Sequence, residues 1–313
     1  MPHINIIART NGVGLDQDVI LVRDHLEKAG LEVSVSHCRS IPLWSGIFPK
    51  KPQFDANVFL ERIFSRWLPA GKMNFLIPNQ ERFPRRHLKY LSNIDVVLCK
   101  TQHAEEIFSK YAEAHTIGFS SADRLIAEAR PDYTSCLHLA GKSTLKGTET
   151  LLELWKNHPD WPVLTLIQCK ENAPKSVPDN VRLLSHYLAP DELTKEMNRH
   201  GIHLCTSRSE GWGHYIVEAM SAQAVVITTD APPMNELITS STGILVPYSN
   251  EESRHLGRNF YVDPNELAQA LDRVFALSYK DKVALGGSAR DWFEFNHKTF
   301  ARSFPEVVKS LLS

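Results

Sequence analysis

Two carboxylates bracket a glycine-containing turn in Ser209-Glu210-Gly211-Trp212-Gly213-His214-Tyr215-Ile216-Val217-Glu218-Ala219-Met220. The run follows an apolar stretch of strand length, 202–205, and leads into a helical pattern. Gly211 and Gly213 let the backbone turn tightly and approach a ligand without a Cβ in the way. The start of the next helix offers unpaired N–H groups and the positive end of a dipole, which suits a diphosphate or sugar hydroxyls. Glu210 would face such a ligand from the loop and Glu218 from the second helical turn. A capped structural turn is the competing reading of the bare pattern.

Other groups could meet a ligand from the N-terminal half. Gly12-Val13-Gly14 follows the apolar run 3–8 and reads as a phosphate-facing turn, although it lacks the third glycine of a dinucleotide fingerprint. Pro78-Asn79-Gln80-Glu81-Arg82 follows the run 74–77, so Asn79 and Glu81 would stand at a cleft edge. His103 lies just past Cys99-Lys100-Thr101 at a helix start, where a structural histidine is the alternative. In 59–68, Phe59, Leu60, Ile63, Phe64, Trp67 and Leu68 are interleaved with Arg62 and Arg66, and Arg82, Arg85, Arg86, His87 and Lys89 lie downstream. An amphipathic core helix beside a solvated loop is the preferred reading. The other is a basic surface that meets a membrane or an anionic acceptor.

These groups need elements to hold them. Apolar runs of strand length alternate with stretches of helical period. Residues 3–8, 31–36, 74–77 and 95–99 read as strands, with helices at 16–29 and 102–111. The pattern breaks at 115–134, which carries Gly118, Ser120, Ser121 and Pro131. It resumes through 136–140, 145–156, 163–168, 181–184, 192–199, 202–205, 216–222, 225–229 and 243–246. Such alternation predicts parallel sheets covered by helices on both faces. The expected architecture is α/β, with two doubly wound Rossmann-like domains facing across a cleft at 1–120 and 121–290. A helix at 291–313 is expected to cross back to the first domain. Ligands in open sheets of this kind bind beyond the carboxyl ends of the strands.

The acidic segment resembles the Glu-x7-Glu signature of family-4-type retaining glycosyltransferases of the GT-B fold, S-x-x-E-G-F/W-G-x-x-x-x-E-A-M, and fits it position by position. The likeness continues in order. Gly141-Lys142 and Lys146-Gly147 resemble the family's Gly-Arg…Lys-Gly loop, and 181–188 followed by Pro190-Asp191-Glu192-Leu193 resembles the nucleobase-loop stretch. The run 225–230 followed by 233–237, and then Gly243-Ile244-Leu245-Val246, resemble the family's closing elements. The N-terminal half matches more loosely, through Gly12-Val13-Gly14 and Phe119-Ser120-Ser121-Ala122-Asp123.

The resemblance implies roles. Lys142 and Lys146 would place positive charge on a donor diphosphate, with Lys142 standing where the family more usually has arginine; charge is kept and the bidentate fork is lost. Glu218 would accept from ribose hydroxyls. Glu210 would lie near the transferred sugar, whose hydroxyls the N–H groups of Gly211, Trp212 and Gly213 would hold. His186, Tyr187 and Leu188 would meet the base, with a packed core position as the alternative for Tyr187. The N-terminal domain would bind the acceptor. Family members often present a histidine where this chain offers Asn79 and Glu81. The implied chemistry is retaining transfer of a sugar from a UDP- or GDP-sugar to an acceptor hydroxyl. The nucleotide-sugar is a co-substrate, and neither a cofactor nor a metal is expected.

Composition bounds the alternatives. Hydrophobic residues at 42% and charged residues at 23% are ordinary for a soluble globular chain, and a net charge of -1 argues against bulk nucleic-acid binding. Five scattered cysteines without a CxxC pair read as small buried thiols of a reducing compartment. No run reaches the ~18 apolar residues of a spanning helix, and no signal-peptide pattern opens the chain. A cytoplasmic location with peripheral membrane contact is the expectation. No DxD, HExxH or HxE…CxxC occurs. The expected partners are a nucleotide-sugar donor and a glycan, lipid-linked or small-molecule acceptor. The rivals are a non-catalytic nucleotide-sugar-binding protein of the same fold, transfer to modified DNA, and a dinucleotide enzyme reading Gly12-Val13-Gly14.

Overall fold

The computed structural model describes residues 1–9, 14–40 and 51–313. These divide into two compact units: Met1–Ser121 with Ser253–Gly257 and Asn296–Ser313, and Ala122–Glu252 with Arg258–Phe295.

The first unit holds a six-stranded parallel sheet built from β1 (His3–Ala8), β2 (Glu32–His37), β3 (Phe54–Glu61), β4 (Gly71–Pro78), β5 (Val96–Cys99) and β6 (Ala114–Thr116), ordered β2-β1-β3-β4-β5-β6. Helix α1 (Gly14–Lys28) follows β1, with Asp16 in its first turn and Lys28 in its last, each complementing the helix dipole. Helix α2 (Gln102–Phe108) follows β5 and is capped by the Thr101 hydroxyl, which accepts from Ala104 N at 3.2 Å.

The amphipathic helix expected at 59–68 does not form. Phe59 and Leu60 belong to the central strand β3, and Ser65–Ala70 is a short 3-10 turn. A strand covered on both faces is apolar without alternation, so its end and the turn after it mimic a helical stripe.

The second unit carries β7 (Asp132–Gly141), β8 (Leu164–Gln168), β9 (Val181–Leu184), β10 (His200–Cys205), β11 (Val225–Thr229) and β12 (Gly243–Val246), all parallel, in the order β12-β11-β10-β7-β8-β9. Read from β9, this is the 3-2-1-4-5-6 order of a doubly wound dinucleotide fold, and strand order reverses between β7 and β10. Helices α3 (Thr148–Asn157), α4 (Pro190–Arg199), α5 (His214–Ser221), α6 (Met234–Leu237) and α7 (Pro264–Ala276) connect the strands. The core beneath them includes Leu151, Trp155, Leu166, Leu204, Ile227 and Leu271, all under 2% exposed. A hairpin of β13 (Tyr248–Arg254) and β14 (Gly257–Val262) precedes α7. Helix α8 (Tyr279–Leu312) supplies residues to both units.

Cys99, Cys136 and Cys205 are buried free thiols, and burial pushes Cys99 up to about 12. No helix among the described residues is long and apolar enough to cross a membrane.

Candidate functional site

The loops after β7 and β10 leave the sheet on either side of the point where strand order reverses, the position at which doubly wound sheets take ligands. They are joined by backbone. Arg208 N donates to Leu145 O at 2.8 Å, and the Thr206 hydroxyl donates to Lys146 O at 2.9 Å. Gly147 makes that approach possible. Its φ is +72°, and a Cβ there would fall 2.6 Å from Thr206 O. Gly147→Ala is therefore expected to destabilise the chain by on the order of 3 kcal/mol, combining left-handed strain with overpacking. A urea titration checks it, and an unchanged midpoint would refute the packing argument.

His138 on β7 locks the same junction from below. Its ring contacts Leu204 O at 2.7 Å through Nδ1 and the Thr148 hydroxyl at 3.0 Å through Nε2. A neutral ring that donates to the carbonyl and accepts from the hydroxyl satisfies both contacts. Burial pulls its pKa down to about 4, so the neutral form is the one the site holds.

Lys146 and Glu210 meet at this edge, with Lys146 Nζ donating to Glu210 Oε1 at 2.5 Å. The Ser207 hydroxyl donates to the same oxygen and lies 2.6 Å from Tyr215 OH. The Lys146 ammonium also stands 3.5 Å from the centroid of the Tyr215 ring, a cation–π contact that fixes the amine laterally. Ser207 is itself held by its carbonyl, which accepts from the Thr229 hydroxyl at 2.9 Å. Gly211, Trp212 and Gly213 are buried in the turn, and Gly213 takes a φ of +106° at the N-cap of α5. The lysine and the helix start thus supply positive charge at one edge.

Glu218 is 4% exposed on α5. Its Oε1 accepts from Arg124 Nη2 at 3.0 Å, and Oε2 makes no hydrogen bond among the described residues. Arg124 is anchored at both ends: its N donates to the Ser221 hydroxyl at 2.9 Å and its O accepts from Asn198 Nδ2 at 2.6 Å.

The other expected residues lie as follows. Lys142 is exposed and makes no ion pair among the described residues, so the two lysines of the loop are not equivalent. His186, Tyr187 and Leu188 lie between β9 and α4. Tyr187 is 84% exposed, which overturns its alternative as a core aromatic, while Leu188 packs against the small cluster of Leu137, Ile167 and Met197. In the first unit Asn79 follows β4 and accepts from Lys100 Nζ at 3.0 Å; the same amine reaches buried Asp18 at 2.6 Å. Glu81 is 5% exposed, beside Arg82 at 3.7 Å. His103 sits in the first turn of α2, with its pKa lowered chiefly by burial. Gly14 opens α1, whereas Gly12 and Val13 lie outside the described residues.

Sequence reasoning did not single out Arg124, His138 or Tyr215, whose partners are distant in the chain or hidden behind the motif. Ser207 was legible as the position three residues before Glu210.

Residues 127–276 match the family model described as glycosyl transferases group 1. No curated protein matches the chain by sequence. Three solved structures cover nearly all of it. A sucrose-phosphate synthase from Thermosynechococcus elongatus superposes with a TM-score of 0.75 at 16% identity, over 99% of each chain. A glycosyltransferase from Rickettsia africae gives 0.74 at 14% identity, over 100% of this chain and 99% of that one. HepE from Anabaena, in complex with UDP and glucose, gives 0.73 at 13% identity, over 99% of this chain and 100% of the other. The fold is GT-B. In this GT-B chain the matched segment contains β7 to α7, and with them Lys146, Glu210 and Glu218.

Proposed function

We propose that the chain transfers a sugar from a nucleoside-diphosphate sugar to an acceptor hydroxyl with retention of anomeric configuration. One observation carries the reading. Lys146 and Glu210 meet 2.5 Å apart at the switch point of the second sheet, beside the N-terminus of α5. That arrangement suits a diphosphate leaving group next to a polar sugar.

In this reading Lys146 and the start of α5 take up the charge that develops on the departing diphosphate, with exposed Lys142 adding a screened contribution. Glu210 orients the transferred sugar, and the second oxygen of Glu218 receives the ribose hydroxyls while Arg124 holds the first. His186, Tyr187 and Leu188 meet the base. The first unit supplies the acceptor side through Asn79, Glu81, His103 and residues Gly12, Val13 and Gly14. The acceptor oxygen forms its bond to the anomeric carbon on the face that the diphosphate leaves. The carbon–oxygen bond to the diphosphate breaks, and the acceptor proton passes to a phosphate oxygen. No side-chain nucleophile and no metal take part. A glycan, a lipid-linked saccharide or a small molecule can provide such a hydroxyl.

UDP- and GDP-sugars should raise the melting temperature of the whole chain, and Glu218→Ala should remove the effect, because a ligand that binds only the folded state stabilises it. The stabilising donor should then support turnover in the presence of a chelator and give product with the donor's anomeric configuration. An inverted product would overturn the stereochemical claim. Binding without release of nucleotide would favour a non-catalytic nucleotide-sugar-binding protein.

A further inference from the structure

Basic side chains gather past the carboxyl ends of two neighbouring strands in the first unit. Arg62 follows β3, and Arg82, Arg85 and Arg86 follow β4. The hairpin tip, Ser253–Gly257, belongs to the same unit and adds Arg254 and His255. Leu256 N donates to Gln80 O at 3.3 Å and Arg85 Nε donates to His255 O at 3.4 Å, which fixes the tip against the segment after β4. Pro84, Arg85, Arg86, Ser253 and His255 line a depression of about 460 Å³.

The charges here are incompletely balanced. Glu61 pairs with Arg62, and Glu81 lies 3.7 Å from Arg82. Arg85, Arg86 and Arg254 have no carboxylate partner among the described residues. The Nε groups of Arg62 and Arg254 are buried without a hydrogen-bond partner, as is Nδ1 of His87. The His255 imidazole titrates below its usual range, through burial and then through Arg254, Arg62, Arg82 and Arg86. Folding has placed four guanidiniums around one imidazole, a self-repelling arrangement with donors left over. A multiply charged anion in the depression would offset that repulsion, and arginine forks such as those of Arg85 and Arg86 match the oxygens of phosphate.

Shape narrows the class further. None of the large exposed apolar side chains among the described residues falls within 61–89 or 253–257. A surface that lies on a membrane pairs its charges with inserted apolar groups. This one is a depression lined by Arg85, Arg86, Ser253 and His255 beside Pro84, and it stands at the edge where parallel sheets take ligands. We propose that the pocket binds a phosphate group and, resting on the transferase reading, that the phosphate is carried by a soluble acceptor.

The test is calorimetric titration of the whole chain with inorganic phosphate at low ionic strength. The triple variant Arg85→Ala/Arg86→Ala/Arg254→Ala should bind at least about tenfold more weakly than wild type, whereas Lys146→Met/Glu210→Gln should bind equally well. Equal binding by the triple variant, or none by wild type, would overturn the proposal. So would loss in Lys146→Met/Glu210→Gln, which would move the phosphate to the start of α5. Vesicles containing phosphatidic acid form a second arm; capture by vesicles without binding of free phosphate would overturn the proposal in favour of a membrane contact. Because three truncations can disturb folding, arginine Nε–H signals in the ¹⁵N-labelled wild-type chain give an independent reading. Phosphate should shift those of Arg85 and Arg86, which line the depression, and unmoved signals would count against the site. Failure of the donor reading would appear separately, as no stabilisation by any nucleotide sugar, with this titration unaffected.

Discussion

Lys146→Ala is expected to lower the turnover of a stabilising nucleotide sugar by on the order of 10²–10³-fold, the usual effect of deleting one donor aimed at developing negative charge. The second unit fixes this lysine on two sides, by Glu210 at 2.5 Å and by the face of Tyr215 at 3.5 Å. Lys142→Ala should cost less than about tenfold, since that exposed amine acts through screening water. The single Lys146 variant also strands Glu210, and breaking a largely buried pair destabilises by about 3–5 kcal/mol. The decisive protein is therefore Lys146→Met/Glu210→Gln, which removes both charges together. Its melting temperature should stay close to that of wild type while nucleotide release collapses. Retention of more than a tenth of the wild-type rate by that double variant would remove Lys146 from the chemistry.

The second large effect is acid lability. His138 and His203 are both buried, and burial lowers each to about 4 in the folded chain, whereas an unfolded histidine titrates near 6.5. Below about pH 6.5 the unfolded state therefore binds protons that the folded state refuses. Stability is complete above that value, falls as pH drops through the window, and stops falling near pH 4, where the folded rings protonate as well. The loss amounts to roughly 3 kcal/mol for each ring, a large part of a typical ΔG of unfolding. Urea midpoints between pH 7.5 and 4.5 should show this slope, and His138→Gln with His203→Gln should flatten it by about two protons. An unchanged slope in that double variant would show that other groups set the acid limit.

What the sequence made legible follows from where the information sits. The second unit was readable because its site is built from contiguous runs. The turn from Glu210 to Glu218 lies between β10 and α5, and the loop bearing Lys146 directly precedes α3. The first unit was harder. Strand β3 is buried along nearly its whole length, so it lacks the alternation that betrays a half-covered strand, and its end has the spacing of a helix. Strand β6, three residues long, was lost inside the apparent boundary segment. Arg124 and Glu218 stand 94 residues apart, and His138 and Leu204 stand 66 apart. Pairs at such separations have no local pattern to announce them. Lys142 and Lys146 looked alike as a motif, and only the path of the chain makes one exposed and the other engaged. Tyr187 illustrates the reverse case, since an aromatic beside apolar Leu188 proved to be almost wholly exposed.

The long helix α8 has a bearing on how the chain is made. Its later part, Asn296–Ser313, belongs to the first unit, where Phe300, Phe304 and Val308 are buried. There the His297 ring meets the Ser120 hydroxyl at 2.8 Å, and Lys309 Nζ donates to Ala29 O at 2.6 Å. Synthesis runs from the N-terminus at roughly 5–20 residues per second. The sheet of the first unit is thus translated before the second unit, and a share of its apolar cover after it. Phe119 meets its partner Phe300 only once the segment beyond Phe295 has been made, by which point every residue of the second unit has been joined.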